Sequence, residues 1–295
     1  MLSLRPLLVG LAALALAAPA WAQPADPTPD HVIDVLTFNT ALLPELAAST
    51  GQSDRAARMP PHLVGYDVLV LQELFINRHR EALLAELAEA YPYRSALLGV
   101  DGARELPWRQ DGGTLILSRW PIEREAQLLF EDLCSGSDCL ADKGVAYAAV
   151  RKGTRVYHVF TTHAQSVYGR RVEEVRAAQF ALLRRFVDAQ AIPATEPVIV
   201  AGDLNVDAYS DELDTVLRVL RAAWPPVVGD ARFTWDPETN ALAEGDREWL
   251  DYVLVSGDHA QPARAWNRAM PIRDGDLDLS DHFGVWGRVV MPASP

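Results

Sequence analysis

Several polar residues of this sequence stand where apolar runs end, in types and spacings that suit work on a phosphoester. Pro197-Val-Ile-Val-Ala-Gly-Asp-Leu-Asn205 carries an apolar run through a glycine into Asp203 and Asn205. In an extended chain residues two apart point the same way, and a carboxylate beside an amide can hold a water and a phosphate oxygen together. The competing reading is a Gly-Asp turn closed by an Asx hydrogen bond. Val68-Leu-Val-Leu-Gln-Glu73 drives a buried run into a carboxylate that, taken alone, would simply face solvent. Ser280-Asp281-His282 places a metal-binding or orienting carboxylate, Asp281, next to a general base, His282. Asn39 and His163 close two further runs, and Asp251 opens another. For His163 a structural role, and for Asp251 a solvent-exposed cap, are the plainer readings.

Together these groups fit metal-assisted phosphoester hydrolysis. A hard divalent cation takes oxygen ligands, which carboxylates supply. A base must activate water, and donors must offset charge on the phosphoryl oxygens. A zinc enzyme would need more histidine or cysteine in one group. Serine acyl chemistry would favour Gly-x-Ser-x-Gly, and nucleotide binding through a Walker loop would need its glycine-lysine pattern; neither occurs.

The elements that must position these residues are short β-rich runs. We expect strands at Val32–Asn39, Asp67–Glu73, Gly113–Ser118, Gly144–Arg151, Val156–Thr162, Pro197–Asp203, Asp251–Ser256 and Phe283–Val290. Helical spacing falls at Asn77–Glu89, with Asn77 as N-cap, at Val172–Asp188, and from Ser210 or Asp211 to Leu220. Strands interleaved with helices indicate an α/β or α+β architecture with helices covering sheets. The polar residues sit at strand ends, where such folds place ligand sites.

The chain has 295 residues, 49% hydrophobic and 23% charged, which is ordinary for a globular protein. Its net charge of −13 argues against a purely electrostatic nucleic-acid binder. It leaves a nuclease open, because carboxylates that hold a metal also make a chain acidic. Residues 1–22 combine Arg5, an apolar run from Leu7 to Ala18, and Ala20-Trp21-Ala22 before Gln23, which reads as a signal peptide. The run falls short of the roughly 20 residues that span a bilayer. The expectation is therefore export, to the periplasm or outside the cell. Residues 23–30 are proline-rich and read as a flexible leader, leaving 31–292 as a single catalytic domain, expected to be a monomer. Cys134 and Cys139 flank four residues; export favours their pairing, and free thiols are the alternative.

The ordered set Thr37-Phe-Asn39, Gln72-Glu73, Gly112-Gly-Thr-Leu-Ile-Leu-Ser-Arg119, His163, Gly202-Asp-Leu-Asn205, Asp251-Tyr252 and Ser280-Asp-His282 resembles the endonuclease/exonuclease/phosphatase superfamily. The resemblance covers roughly residues 32–290. It implies a four-layer sandwich, two β-sheets face to face with helices outside. Within that superfamily the chain is most similar to the secreted bacterial sphingomyelinase C group. Asn39 is followed by Leu42-Leu43-Pro44, Glu73 by Phe75, and Asp111 by Gly112-Gly113. Leu117-Ser-Arg-Trp-Pro-Ile122, Asp142-Lys143-Gly144-Val145 and Gln179 are similar to segments of that group.

The resemblance implies roles. Glu73 would be the main Mg²⁺ ligand with Asn39 beside it, and Asp281 would support the metal; Mn²⁺ or Co²⁺ would be substitutes. His282 would activate water, oriented by Asp251. Asp203 and Asn205 would position water and phosphate. His163 would stabilise or protonate the leaving side, paired with Asp111. Lys143 would contact the substrate phosphate, against the alternative of a solvated loop lysine. The substrate would be a phospholipid headgroup at a membrane surface, sphingomyelin giving ceramide and phosphocholine. A secreted metal-dependent nuclease is the alternative, with Arg104, Arg109, Arg170 and Arg171 as a candidate basic strip for nucleic acid. A catalytically dead, membrane-engaging module is a third reading, disfavoured by the complete polar set. The group's exposed aromatic hairpin before the final Asp-His is missing: Ser256 to Ser280 is short and offers Trp266, Met270 and Ile272 without an aromatic pair.

Overall fold

The structure, a computed structural model, describes residues 28–44, 49–99 and 110–293. Residues 1–22, Arg104 and Arg109 lie outside the described residues. In chain order the elements are β1 (Val32–Asn39), α1 (Gln52–Arg58), α2 (Pro60–Leu63), β2 (Val68–Gln72), α3 (Asn77–Leu87), β3 (Tyr93–Arg94), β4 (Leu115–Ser118), β5 (Ile122–Leu129), β6 (Gly144–Lys152), β7 (Arg155–His163), α4 (Arg170–Ala189), β8 (Val198–Asp203), α5 (Asp211–Leu220), β9 (Ala222–Ala223), β10 (Asp251–Ser256), β11 (Arg264–Met270), β12 (Arg273–Asp274), β13 (Leu277–Asp278) and β14 (Gly284–Val290). They form two mixed sheets, ordered β11-β14-β1-β2-β4-β3 and β5-β6-β7-β8-β10-β9, and a small β12-β13 hairpin. This is the expected sandwich, with helices on its outer faces.

Period-two alternation explains the layers. On β1, Ile33 and Val35 join the core between the sheets, while Leu36 and Phe38 join a second core against Met59, Leu63, Leu83 and Leu87 of the α1–α3 layer. On β2, Val68 and Val70 face inward, and Leu69 and Leu71 face the helices. The second sheet is covered by α4 and α5 through Phe180, Leu183, Val187, Leu213 and Val216. Strands buried on both faces read as nearly continuous apolar runs, which is why these were legible.

Two eight- and seven-residue strands were not expected, β5 (IEREAQLL) and β11 (RAWNRAM). Both lie at sheet edges, where charged side chains guard unpaired backbone and mask the strand pattern. Asn77 does not cap α3: Ile76 occupies that position without a side-chain cap, and the Asn77 Oδ1 accepts from Arg80 at 2.6 Å instead. Residues 28–30, read above as the end of the leader, are packed. Thr28 Oγ1 takes a 2.6 Å hydrogen bond from Lys152 and gives one to Asp67, and Asp30 accepts from Thr154. A buried ammonium needs several acceptors, and Thr28 supplies one. Cys134 and Cys139 are joined in a disulfide.

Candidate active site

The same alternation carries the polar residues inward at one end of the sandwich. Continuing 33, 35 and 37 along β1 brings Asn39 to the inner face, and continuing 68 and 70 along β2 brings Gln72 there. Below the site Gln72 Nε2 donates to Thr37 Oγ1 at 3.1 Å and to Thr161 Oγ1 at 3.5 Å, stitching the two sheets together. In the other sheet His163 stands opposite Asp203 in the parallel β7-β8 register, and Asp203 opposite Asp251 in the antiparallel β8-β10 register. Three adjacent strands thus deliver an imidazole and two carboxylates in a row.

Glu73 is out of phase with β2 and would point toward the helices. A left-handed backbone at Glu73 (φ 58°) turns the chain, and its carboxylate Oε1 lies 3.7 Å from His163 Nε2. Ala41 (φ 49°) and Asn205 (φ 51°) adopt the same conformation. Non-glycine residues rarely do so, and such strain gathers at functional sites. Asn205 therefore does not continue the strand. Its N–H donates to Asp203 Oδ1 at 2.9 Å, the Asx turn, and its Nδ2 donates to Ala164 O at 3.1 Å. The turn and the site reading hold together, because the turn is what fixes the amide beside Asp203.

Across the sheets Asn39 Nδ2 donates to Asp203 Oδ2 at 3.0 Å, and its Oδ1 accepts from the Ala41 N–H at 3.1 Å. His282 Nδ1 lies 2.8 Å from Asp251 Oδ2, leaving Nε2 facing Asp203 Oδ2 at 3.8 Å. Asp251 is fully buried, and its Oδ1 has no hydrogen-bond partner in the protein. Burial alone would lower the His282 pKa; the carboxylates of Asp251, Asp203 and Asp281 outweigh it and raise the pKa well above 6.5. His163 shows the opposite balance. Burial, reinforced by the Lys143 ammonium, holds it down at about 4, so the ring is neutral near pH 7. Burial and the nearby Asp281 carboxylate push Glu73 up to about 7.

One expected pairing and one alternative reading need correction. Asp111 does not pair with His163: its carboxylate is taken by Arg80 Nη1, 3.2 Å from both oxygens, and by the Gly113 N–H. A half-buried carboxylate takes the nearest cation, and His163, held neutral by burial, offers none. Lys143 is not a solvated loop lysine. It is 8% exposed, donates to Ala164 O at 2.8 Å and lies 3.1 Å from Asp138 Oδ2.

Other residues shape the site without a sequence signal of their own. Buried Arg55 donates to Thr40 O, Ala41 O and Leu279 O, tying the loop after Asn39 to the segment before Asp281. Asn240 Nδ2 donates to Ser280 O and Asp281 O. Ser280 Oγ donates to Asn39 O at 2.7 Å and accepts from the His282 N–H. Trp235 packs edge-on against the His282 ring at 5.1 Å. Only Ser280 was visible beforehand, as a neighbour in its motif; the others lie far away in sequence.

Two donor sets are available to a cation. Asp203, Asp251 and His282 bring one ligand atom each within 4.8 Å of one another, but the 2.8 Å Asp251–His282 contact engages that pair already. Glu73 and Asp281 are a second, oxygen-only pair whose carboxylates repel each other, while Asn39 turns its amide donor toward Glu73 and Asp203 and its Oδ1 toward the Ala41 N–H. A hard cation such as Mg²⁺ suits that set, whereas zinc or copper would not be favoured by it.

The model of the Endonuclease/Exonuclease/phosphatase family matches residues 36–282. Sphingomyelinase C of Leptospira interrogans is 33% identical over 94% of this chain, and the chain spans about half of that protein's length (55%). The crystal structure of sphingomyelinase C from Streptomyces griseocarneus matches with a TM-score of 0.79 at 33% identity, over 89% of this chain and 100% of that one. A mutant beta toxin from Staphylococcus aureus with bound magnesium ions matches with a TM-score of 0.77 at 27% identity, over 86% of this chain and 98% of that one. With its sandwich, its motif order and its strand-end cluster, the chain belongs to the endonuclease/exonuclease/phosphatase family and groups within it with the bacterial sphingomyelinases C.

Proposed function

We propose that this protein is an exported, Mg²⁺-dependent phosphodiesterase that hydrolyses a phospholipid headgroup, sphingomyelin to ceramide and phosphocholine. The observation that carries the reading is the Asp251–His282 pair, with Nε2 of His282 facing Asp203 inside a ring of Glu73, His163 and Asn39. Similarity to sphingomyelinases C, and to a toxin seen with magnesium, supports the choice of substrate and ion. No helix among the described residues is long and apolar enough to cross a membrane.

Above the raised pKa of the ring, Asp251 holds the remaining proton on Nδ1 of His282 and Nε2 is the free acceptor. His282 Nε2 takes a proton from the attacking water, and Asp251 and Asp203 stabilise the imidazolium that results. Asp203 and Asn205, fixed by their shared turn, orient water and a phosphoryl oxygen. His163 is neutral at working pH and serves as an N–H donor to the leaving side. Lys143 places a positive charge on the same side. Glu73, Asn39 and Asp281 would hold Mg²⁺, which when bound supplies a positive charge against the phosphoryl oxygens. Asp111 is engaged by Arg80 and takes no part in these steps.

The test is hydrolysis by the purified protein with Mg²⁺ and with EDTA, offering sphingomyelin liposomes, phosphatidylcholine liposomes and plasmid DNA in parallel. Metal-dependent phosphocholine release from sphingomyelin is the expected result. DNA cleavage without lipid hydrolysis would keep the metal chemistry and move the protein to the nuclease branch. A His282→Ala variant should fold and lose turnover; normal activity in it sinks the assignment of the base.

A further inference from the structure

Four of the large hydrophobic side chains that the described residues leave in solvent are gathered around the site. Leu140 is 55% exposed, Val167 62%, Tyr168 55% and Tyr209 62%. Each stands on a loop that begins or ends at a site residue. Leu140 precedes Lys143 by three positions, Val167 and Tyr168 follow His163 by four and five, and Tyr209 follows Asn205 by four. The loops are also joined. Asp138 and Ser135 of the disulfide loop bond Ser166 and Gln165. The Tyr168 hydroxyl donates to Glu248, whose backbone pairs with that of Trp235, the residue against His282. The Tyr209 ring packs at a tilt against Phe233, centroids 5.6 Å apart, two residues from Trp235.

Val167 makes the arrangement informative. It is a β-branched residue in the left-handed region (φ 61°) and its side chain is in water. Both features cost stability, and folding recovers neither. The buried Arg176 enforces the conformation, donating from Nη1 to Gln165 O and Val167 O while Glu212 holds its other nitrogens. The loop is therefore rigid and aimed, and an apolar residue stands where asparagine or glycine would be cheaper.

The geometry points to a docking rim, formed by Leu140, Val167, Tyr168 and Tyr209, that seats the site mouth on a zwitterionic phospholipid bilayer. The inference rests on the phospholipid reading above and supplies what that reading lacks, a surface in place of the missing aromatic hairpin. The β12-β13 hairpin before Ser280 cannot serve: its tip is Asp274-Gly275-Asp276, and Asp274 is bound to Arg58 at 2.8 Å. Amphipathic and aliphatic side chains at this spacing suit the headgroup boundary. Charge selects the lipid. The chain carries −13, and beside the rim Arg170 and Arg171 are balanced by the exposed Glu173 and Glu174. Among these described residues there is no surplus of lysine and arginine, which attraction to an anionic membrane needs.

The experiment is co-sedimentation with vesicles in EDTA, so that nothing is turned over, using phosphatidylcholine alone and phosphatidylcholine with added phosphatidylserine. The wild-type chain should bind the first, and bind the second less well at low salt. Leu140→Gln with Val167→Asn should lower partition into phosphatidylcholine vesicles by about ten-fold, two half-buried apolar side chains being lost from the interface. Val167→Asn alone should hold or raise Tm, because asparagine tolerates the left-handed conformation; that excludes unfolding as the cause of weak binding. No binding by the wild type, partition of the double variant within two-fold of wild type, or tighter salt-sensitive binding to phosphatidylserine would each overturn the rim. Failure of the enzymatic reading looks different: the protein would bind phosphatidylcholine through these residues and still release no phosphocholine from sphingomyelin with Mg²⁺.

Discussion

Replacing Asp251 with asparagine tests how His282 is set up. The carboxylate accepts from His282 Nδ1 at 2.8 Å through Oδ2, while Oδ1 is buried with no partner. An asparagine has two ways to sit. With its oxygen toward His282, its NH₂ would occupy the unpartnered position and leave two donors buried, at a cost of about 1–3 kcal/mol. With its NH₂ toward His282, that cost is avoided, but the amide donates to Nδ1 and moves the ring proton to Nε2. The structure favours the second arrangement, which blocks the nitrogen that must accept a proton from water. Losing a charge-assisted hydrogen bond worth about 1.5–3 kcal/mol already costs roughly 10- to 150-fold. A wrong tautomer has cost about 10⁴-fold in an Asp-to-Asn change behind another catalytic histidine. The expected loss in kcat is on the order of 10²- to 10⁴-fold, with KM little changed. The acid limb of the pH profile should respond as well. Asp251 is the foremost group raising the His282 pKa, so the rise of kcat/KM with pH should move to lower pH in the variant. In wild type the protonated ring adds stability that is fully present below pH 6.5 and lost as pH rises through the raised folded value. The variant should therefore lose more Tm at pH 5 than at pH 9, measured in EDTA. A variant with kcat within about three-fold of wild type, on a soluble phosphodiester across that range, refutes the tautomer argument.

Three other substitutions probe the frame. Glu73→Gln should abolish the heat of Mg²⁺ binding in calorimetry; in EDTA it should gain Tm relative to wild type at pH 8, where Glu73 is ionised against Asp281, and lose that gain below pH 4.5, where both states carry the proton. Gly202→Ala should destabilise by about 3 kcal/mol or more in urea, since a Cβ there would stand 2.1 Å from Thr162 O and force β7 from β8. Lys152→Met should cost about 3–5 kcal/mol, because Asp67, 3% exposed, would keep its charge without the ammonium now 2.8 Å away; denaturation in urea reads this directly.

The sequence was most legible where a strand is buried on both faces and ends in a polar residue. Val32–Asn39 and Asp251–Ser256 were placed to the residue, because uninterrupted apolar runs leave few alternatives. The edge strands β5 and β11 were missed because charge is what an edge needs. At the site, the residue types and strand positions named Asn39, Glu73, His163, Asp203, Asn205, Asp251, Asp281 and His282, and the fold brings them to one end. Their pairing was less readable. The pairing of Asp111 with His163 came from the resemblance alone; the partner of a half-buried carboxylate is settled by the cation nearest it, and Arg80 Nη1 lies 3.2 Å away. Arg55 and Asn240 were invisible for a related reason. They act on backbone carbonyls, and a carbonyl acceptor has no residue type.

Those two residues show why the cluster can be both strained and fixed. Asn39, Glu73 and Asn205 lie at or beside positions whose left-handed backbone raises the energy of the loops, and Glu73 with Asp281 raises it again through like charge. Opposing this, Arg55 and Asn240 hold the carbonyls of residues 40, 41, 279, 280 and 281, and Gln72 ties the sheets just beneath. Strain of about 1–3 kcal/mol per residue persists only where the surroundings overdetermine the conformation. The loops after β1 and before β14 are therefore one unit, and a defect in Arg55 should reach Asn39 and Asp281 together. The same logic extends outward to the rim, where Arg176 does for Val167 what Arg55 does for Ala41: a buried guanidinium takes the main-chain oxygen of a residue in the left-handed region and fixes the loop there.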